Sequence, residues 1–372
     1  MMRRMGPLEF PAWDPVLIPI AGPISVRYYG LMYIVGFVAA QMILSRLARA
    51  RFLPLDPQKV TDFIFYAVLG TILGGRLGYV VFYQPGLFDP TKIVLIWEGG
   101  LAFHGGLIGV TAAVWLFARK HGIKFGRMGD AAALAVTPGI FAVRMANFIN
   151  GELYGRITAS TTAFAMRFPT DELAQHSMGI RAVRDLGGSK RAEELMIQYA
   201  YGKVDFDAVV EHLPPASRGS GVLEQLRDIR WEDVQESVPF RHPSQVYEGI
   251  GEGLVLGLIL WATYLLTRRR PLPSWSYAGL FLLGYGVIRF LLENVRQPDA
   301  QLKNPEEGDD LGTVLMGLTM GQVLCAAMIL IGGCLVARGI VLRRAGIDDD
   351  GTAGGDGGAA AVDPEAPAAA EG

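Results

Sequence analysis

The sequence predicts an all-α polytopic membrane protein: a bundle of about seven transmembrane helices with an insertion outside the membrane. Hydrophobic residues make up 51% of the 372 residues, and charged residues only 19%. This composition, with a mean hydropathy of +0.30, is more apolar than that of a water-soluble chain. Seven stretches also approach the roughly 20 apolar residues that a transmembrane helix needs: 28–46, 61–83, 99–118, 129–149, 245–267, 275–295 and 313–337. Pro138 and Gly139 interrupt the fourth.

Basic residues follow every second stretch and predict the orientation. Four clusters lie after the first, third, fifth and seventh stretches: Arg46, Arg49, Arg51 and Lys59; Arg119, Lys120, Lys124 and Arg127; Arg268, Arg269 and Arg270; Arg338, Arg343 and Arg344. Lys and Arg are enriched in cytoplasmic loops, so we expect the N-terminus outside the cytoplasm and the C-terminus inside. Arg3 and Arg4 argue weakly for the reverse, but four clusters outweigh one pair.

This topology divides the chain into four segments. Residues 1–149 hold the first four helices, 150–244 form an extracytoplasmic head insertion, and 245–345 hold the last three helices. The head is long enough to fold in part. Residues 346–372 are an acidic tail rich in alanine and glycine, which we expect to be disordered. The first residues lack the apolar core of a secretory signal peptide, and no internal repeat of the transporter type is evident.

Composition also excludes several classes of partner and cofactor. The formal net charge is -2, so there is no bulk positive field, and we expect no nucleic acid partner. The only cysteines, Cys325 and Cys334, lie in one apolar helix and fit neither a disulfide framework nor a zinc site. Because no two histidines have metal-ligand spacing, we predict no metal, and nothing implies a cofactor.

Polar and charged residues inside the predicted spans, or at their edges, mark the candidate site. With the predicted orientation they all fall in the outer half of the membrane, where Tyr29 also lies. A charge in hydrocarbon is costly unless it is paired, hydrated or functional. Their common depth therefore predicts a membrane-embedded site for an anionic ligand. The residues are Arg76, His104, Arg144, Asn147, Arg289, Glu293 and Arg296.

The sixth span carries a polar stripe. Tyr285, Arg289, Glu293 and Arg296 recur at helical spacing and should share one face. An Arg289–Glu293 ion pair that only holds helices together is the alternative. The further arginine leaves positive charge in surplus on this stripe, which favours an anion.

Three other spans contribute candidates, each with a simpler alternative. Arg144 and Asn147 share a face, and arginine suits phosphate oxygens, although an arginine at a membrane boundary can also snorkel to water. His104 lies among glycines and is either a proton acceptor or a hydrogen-bonded structural residue. Arg76 binds ligand or pairs with Glu98, and the sequence does not decide between them.

Six segments together resemble the bacterial prolipoprotein diacylglyceryl transferase family, in that family's order. They are RYYGLMYIVGF, GGRLGYVVFY, FHGGLIG, RMANFINGELYGR, RHPSQVYE and YGVIRFLLENVRQPDAQ. The resemblance implies an enzyme of the bacterial cytoplasmic (inner) membrane with its site toward the outer leaflet. It would transfer the diacylglyceryl group of phosphatidylglycerol to the lipobox cysteine in the signal peptide of a preprolipoprotein. Glycerol phosphate would leave, and no cofactor is needed.

The resemblance also implies site residues. The family's tyrosine and histidine match Tyr29 and His104, its arginine and asparagine match Arg144 and Asn147, and its late arginine matches Arg289; Gly155 also matches. The head from about 160 to 238 and the acidic tail depart from the family pattern. From the residues alone, two alternatives remain. A transporter or flippase for an anionic lipid would show polar residues at several depths, and a structural membrane protein would show balanced charge.

Overall fold

The computed structural model describes residues 7–21, 24–82, 102–297, 313–315 and 317–347. A hairpin of β1 (Val16–Ala21) and β2 (Ile24–Arg27) leads directly into the first membrane helix. The first four apolar helices are α1 (Tyr28–Arg49), α2 (Val60–Phe82), α3 (Phe103–Lys120) and α4 (Phe125–Ile149). Glu98, the partner of Arg76 in one of its two alternative roles, and most of the acidic tail lie outside the described residues.

The rest of the described chain forms a helical head and three more apolar helices. In the head, β3 (Met166–Arg167) and β4 (Phe240–Arg241) pair as a short antiparallel ribbon. Five helices lie between these two strands along the chain: α5 (Ile180–Asp185), α6 (Lys190–Ala200), α7 (Phe206–Glu211), α8 (Val222–Arg227) and α9 (Trp231–Val234). Helices α10 (Ser244–Thr267) and α11 (Ser276–Leu292) follow. A hairpin of β5 (Thr313–Leu315) and β6 (Leu318–Thr319) precedes α12 (Met320–Ala345).

Each of the seven predicted spans overlaps one of these apolar helices. In the described part of the chain, five stretches are long and apolar enough to cross a membrane: α1, α2 with its preceding turn, α4, α10 and α12. Helices α3 and α11, of 18 and 17 residues, do not meet that standard. The expectation of an all-α membrane protein is therefore confirmed. The number of seven crossings and their orientation stay predictions.

Some predicted boundaries were wrong. The last helix begins at Met320 rather than 313, because the Thr319 side chain and Gln322 form a capping box there, and it continues to Ala345. Helix α11 ends at Leu292, so Arg296 lies beyond it rather than on the helical stripe. Pro138 does not break α4, which is the most buried of the five candidate spans and is shielded by its neighbours.

Six helices share one apolar core, the part of the bundle that supports the site. It contains fully buried side chains from several helices, among them Leu47, Met128, Leu134, Leu260 and Tyr277. The buried Asp130 carboxylate in α4 accepts hydrogen bonds from the Trp275 and Ala278 amides and so caps α11. Helices α2 and α3 touch backbone to backbone, since a Cβ at Gly74 or Gly105 would overlap the other helix.

The head has apolar clusters of its own and is tied to the segment before α1. One cluster centres on Val183, Met196 and Val209, and another on Met178 and Val238. Phe10 packs in a further cluster with Phe148 and Phe168, which joins the N-terminal segment to α4 and to the head. Ion pairs Asp14–Arg191 and Arg27–Glu194, at 2.6 and 2.7 Å, connect the same parts.

Candidate active site

Glu248 is the centre of a buried cluster of ion pairs. Its carboxylate lies 3.0 Å from Arg144 Nε, 2.6 Å from Arg289 Nη1 and 3.6 Å from Arg296 Nε, and the residue is 1% exposed. Glu252, one turn further along α10, lies 3.5 Å from Arg144 Nη2. The cluster therefore joins α4, α10 and the end of α11, and brings together three arginines that the sequence assigns to one site.

Glycines in α10 explain why it lies so close to α4. A Cβ at Gly253 would overlap the backbone of Phe141, and one at Gly249 would press on Arg144 and Met145. Without side chains at these positions, the two helices approach closely and bring Glu248 and Glu252 beside Arg144. Residues Gly249–Val255 form a π helix, a rare geometry found frequently at functional sites.

Glu293 extends the cluster toward α12. Its carboxylate lies 3.4 Å from Arg289 Nη2 and accepts a hydrogen bond of 3.1 Å from Thr319 Oγ1. A Cβ at Gly321 would overlap this carboxylate, so the start of α12 needs a glycine to pack here. The predicted Arg289–Glu293 contact is thus present, but Arg289 lies still closer to Glu248.

A second polar group joins α1 to the loop after α4. Asn147 Nδ2 donates to Glu152 Oε1 at 3.0 Å and to the Tyr29 hydroxyl at 3.4 Å. Asn150 also donates to Glu152. Gln245, at the start of α10, donates to the Glu152 carbonyl oxygen at 2.6 Å. This group links the predicted residues Tyr29 and Asn147 and fixes the loop against the helix that carries Glu248.

Gly155 lies where three chain segments meet. Its amide donates to the His242 carbonyl oxygen at 2.8 Å, and it forms a β-bridge with Arg296. A Cβ at this position would overlap the Val295 carbonyl oxygen and crowd His242. Only glycine allows this approach, which holds the backbone of Arg296 in place for its contact with Glu248.

The described contacts do not join every predicted residue to the cluster. Arg76 is buried in α2 with its guanidinium 5.9 Å from the Tyr79 ring. His104 is exposed in the first turn of α3. Tyr285 is half-buried in α11 and stacks on Phe281. The roles of these three residues stay predictions.

The expected surplus of positive charge is not found in this cluster. Among the described residues joined by these ion pairs, Arg144, Arg289 and Arg296 face Glu248, Glu252 and Glu293. The expectation counts charge along one helix only, whereas α10 supplies two of the carboxylates. Within the described part of the chain, both Glu252 oxygens and Glu293 Oε2 lack hydrogen-bond partners, as does Asn147 Oδ1. A buried acceptor of this kind accommodates a donor from a ligand.

Comparison with known proteins identifies the family. A family model described as prolipoprotein diacylglyceryl transferase matches residues 15–338. The chain belongs to this family. Proteins named phosphatidylglycerol–prolipoprotein diacylglyceryl transferase are similar along almost their whole length. The proteins of Oleidesulfovibrio alaskensis and Methylococcus capsulatus are each 38% identical to this chain. Each alignment covers 91% of this chain, and it covers 96% of the Oleidesulfovibrio protein and 100% of the Methylococcus protein. That of Neisseria meningitidis is 37% identical, with 87% and 95% covered.

The contacts in the structure reveal residues that sequence reasoning misses. Glu252 is an ionisable residue inside a predicted span, so the rule that selects Arg144 should select it too. Glu248 lies at the start of the fifth predicted span, which the predicted orientation places at the outer face, and Glu152 lies just after the fourth span, but the sequence gives neither a role. Arg241 is buried in the head and paired with Asp171, with a further hydrogen bond to Gln297 at 3.1 Å. No helical periodicity marks Arg241, because it lies in a two-residue strand.

Proposed function

We propose that this chain transfers the diacylglyceryl group of phosphatidylglycerol to the lipobox cysteine of preprolipoproteins, the first step of bacterial lipoprotein maturation. The enzyme is a transferase without a cofactor. The observation that carries the proposal is the convergence of Arg144, Arg289 and Arg296 on buried Glu248, in a chain of this family. Guanidinium groups in a buried site are suited to bind a phosphodiester.

The chemistry is a displacement at the carbon that joins diacylglycerol to phosphate. The cysteine thiol loses its proton to a base, and the thiolate sulfur forms a C–S bond. The C–O bond to the phosphate breaks, its electron pair stays on the oxygen, and glycerol phosphate leaves. Arg144 and Arg289 stabilise the charge that develops on this leaving group, assisted by Arg296 and Arg76.

The other predicted residues take positioning or proton-transfer roles. His104 is the base by residue type, and the Tyr29 hydroxyl, held by Asn147, is the alternative. Tyr285 lies one turn before Arg289 on α11, and the Glu293 carboxylate, 3.4 Å from Arg289 Nη2, accepts a hydrogen bond from a hydroxyl of the glycerol headgroup. Gly155 keeps the backbone of Arg296 in register with the loop that carries Glu152.

We further propose the topology that this chemistry requires. Seven helices cross the bacterial cytoplasmic (inner) membrane with the N-terminus outside and the C-terminus inside, in accord with the basic loops. Residues 1–149 and 245–345 form the membrane part, and 150–244 the extracytoplasmic head. The cluster around Glu248 then faces the outer leaflet, where membrane lipids and exported polypeptides meet. The buried Asp130 at the other end of α4 caps a helix, so it gives no support to a transport path for an anionic lipid.

A transfer assay tests the function. The purified protein is incubated in detergent micelles with phosphatidylglycerol and a synthetic lipobox peptide, and mass spectrometry follows the peptide. We expect the mass of one diacylglyceryl group to be added and glycerol phosphate to be released in equal amount. Arg144→Ala and Arg289→Ala should abolish both, and lysine at these positions should restore little, because an ammonium lacks the planar fork.

The matched control is Arg268→Ala, which removes an exposed arginine at the other end of α10 and should leave the rate unchanged. Normal transfer by Arg289→Ala protein at normal abundance would remove Arg289 from the site. Lipid movement across vesicles without any modified peptide would favour the flippase instead.

A further inference from the structure

A cavity of about 440 Å³ lies outside the cluster, between the head and the loop after α4. Its volume falls in the range of roughly 300–1,000 Å³ that is usual for ligand sites. The N-terminal segment lines it with Phe10, Trp13 and Pro15, and helices α5 and α6 supply further lining residues. Its floor is the loop 149–154, and Arg296 and Gln297 close one side.

Two residues of the cavity lining also contact the candidate active site. Arg296 lines the cavity and also lies 3.6 Å from the Glu248 carboxylate. Glu152 lines the cavity floor and accepts the hydrogen bond from Asn147, which in turn donates to Tyr29. A ligand in the cavity therefore contacts Arg296 and the Glu152–Asn147 pair that holds the Tyr29 hydroxyl, one of the two proposed proton acceptors.

The walls are held in place without a ligand. Lys203 donates to the carbonyl oxygens of Pro11 and Ala12, and buried Gln198 also donates to Ala12. Arg27 and Glu194, both in the lining, form an ion pair of 2.7 Å. A cavity whose walls are fixed in advance binds with a smaller entropic cost.

The lining suits a polypeptide better than a small anion. Four cationic side chains (Arg27, Arg184, Lys190, Arg296) are matched by four carboxylates (Glu152, Glu172, Glu193, Glu194), and the remainder is largely apolar or amide. A wall that is neutral as a whole does not concentrate an anion. Asn150 lines the floor, and its buried Oδ1 has no hydrogen-bond partner among the described residues. This acceptor is suited to a backbone N–H.

We propose that this cavity binds the first few residues after the lipobox cysteine of the acceptor polypeptide, in extended form. The inference rests on the proposed function, because that reaction brings a polypeptide to the site with its thiol at the membrane surface. The apolar part of a signal peptide belongs in the bilayer, so the segment after the cysteine must leave toward the head. The cavity is at this exit, and the cysteine at its inner end faces Arg296 and Tyr29.

The test varies the acceptor and the cavity together. Two lipobox peptides are compared, one ending directly after the cysteine and one continuing for five residues. We expect the longer peptide to have a KM at least ~10-fold lower with the parent protein, since lost contacts of about 1.4 kcal/mol correspond to a factor of ten. Glu172→Trp and Lys190→Trp, which place a large ring in the cavity from exposed positions, should remove this difference. The kcat for the short peptide and the KM for phosphatidylglycerol should stay near the parent values.

Glu224→Trp is the matched control, because Glu224 is exposed on α8 and does not line the cavity. It should keep the preference for the longer peptide. If the parent modifies both peptides equally well, or if Glu172→Trp and Lys190→Trp keep the parent's preference, the cavity does not bind the acceptor. If these variants instead weaken inhibition by added glycerol phosphate and leave both peptide KM values unchanged, the cavity holds the leaving group and the proposal is wrong. Absence of transfer by the parent would contradict the proposed function itself, a result distinct from these.

Discussion

Arg289 and Glu248 lie on different helices, and their side chains meet at 2.6 Å, the shortest of the five ion pairs in the cluster. Both are largely buried. A buried ion pair contributes little net stability, but removal of one partner leaves an uncompensated charge. The contact thus holds a guanidinium in the bundle interior, where a phosphate can take over part of its pairing.

Glu248→Ala should damage both stability and activity. It leaves three arginines without their shared partner, and breaking a buried pair in this way costs about 3–5 kcal/mol. We expect a clear fall of the melting temperature in detergent and a loss of transfer of at least ~100-fold. The control is Glu211→Ala, which removes an exposed carboxylate of α7 and should change neither quantity. Parent-like rate and melting temperature in Glu248→Ala protein would show that Glu248 does not hold the cluster.

Gly155→Ala should lower activity through the backbone. The added Cβ meets the Val295 carbonyl oxygen and His242, so the strand segment must move and carry Arg296 with it. Overpacking of this kind costs typically ~1–3 kcal/mol, and we expect transfer to fall ~10-fold or more. Gly219→Ala is the control, since nothing lies within 4 Å of a Cβ there. Equal rates for the two variants would show that activity does not depend on the close approach at Gly155.

Much of this site can be predicted from the sequence through the common depth of its residues. The sequence assigns Arg144, Asn147, Arg289 and Tyr29 to one depth. In the structure, Arg144 and Arg289 meet at Glu248, and Asn147 is hydrogen-bonded to Tyr29. The positions of the spans and their predicted orientation are enough for this prediction, because ionisable residues within membrane spans face the bundle interior or a water-filled cavity.

Pairing between helices cannot be predicted in the same way. The face of α10 that meets α4 depends on the close approach at Gly249 and Gly253 and on the π helix that contains them, and these are consequences of tertiary packing. For this reason the sequence does not reveal Glu248 and Glu252 as partners of the arginines, and the charge predicted along the sixth span alone leaves out these two carboxylates. The cavity is equally hidden in the sequence, since its walls come from segments far apart in the chain.

The proposed orientation predicts opposite accessibility for two single cysteines. In a background with Cys325 and Cys334 replaced by alanine, His121→Cys lies in the turn after α3 and Lys190→Cys lies in the head. In intact cells, a membrane-impermeant maleimide should label position 190, while position 121 should react only after permeabilisation. Labelling of position 121 in intact cells, with protection of position 190, would show that the orientation is the reverse of the proposed one. The cluster would then face the inner leaflet.

The ion pair between Asp14 and Arg191 should make stability depend on pH. Burial raises the pKa of Asp14, but hydrogen bonds from Arg191 and the Val16 amide outweigh it and hold this pKa below the usual 3.8. A lowered folded-state pKa stabilises the protein above the unfolded pKa, and this stability is lost as pH falls through the folded value. Asp14→Asn should therefore lower the melting temperature at pH 7, and its difference from the parent should shrink below pH 3.8.

Asp207→Asn is the comparison for Asp14, because Asp207 also forms an ion pair with an arginine but its own side chain is 83% exposed. It should have little effect at either pH. A melting-temperature difference for Asp14→Asn that is the same at pH 7 and below pH 3.8 would show that the lost carboxylate charge is not the cause.

The last prediction separates the two proton acceptors proposed for the thiol. His104 is exposed at the start of α3, next to Gly105, which packs against Gly74 of α2, and a histidine can change its charge between pH 5 and 8. If His104 is the base, His104→Gln should lower kcat and leave the KM for phosphatidylglycerol nearly unchanged. Activity of the parent should rise with pH, and the shape of this rise should be altered in the variant.

The substrate thiol titrates in the same direction, so the comparison must be made on one lipobox peptide with both proteins. The thiol then contributes equally to both pH profiles, and any difference in shape belongs to His104. Profiles of identical shape, with only the KM for lipid raised, would assign His104 to headgroup orientation. The Tyr29 hydroxyl, 3.4 Å from Asn147 Nδ2, would then be the base to test, by Tyr29→Phe in the same assay. Because that substitution keeps the ring and removes only the hydroxyl, a fall in kcat without a change in lipid KM would identify the proton acceptor.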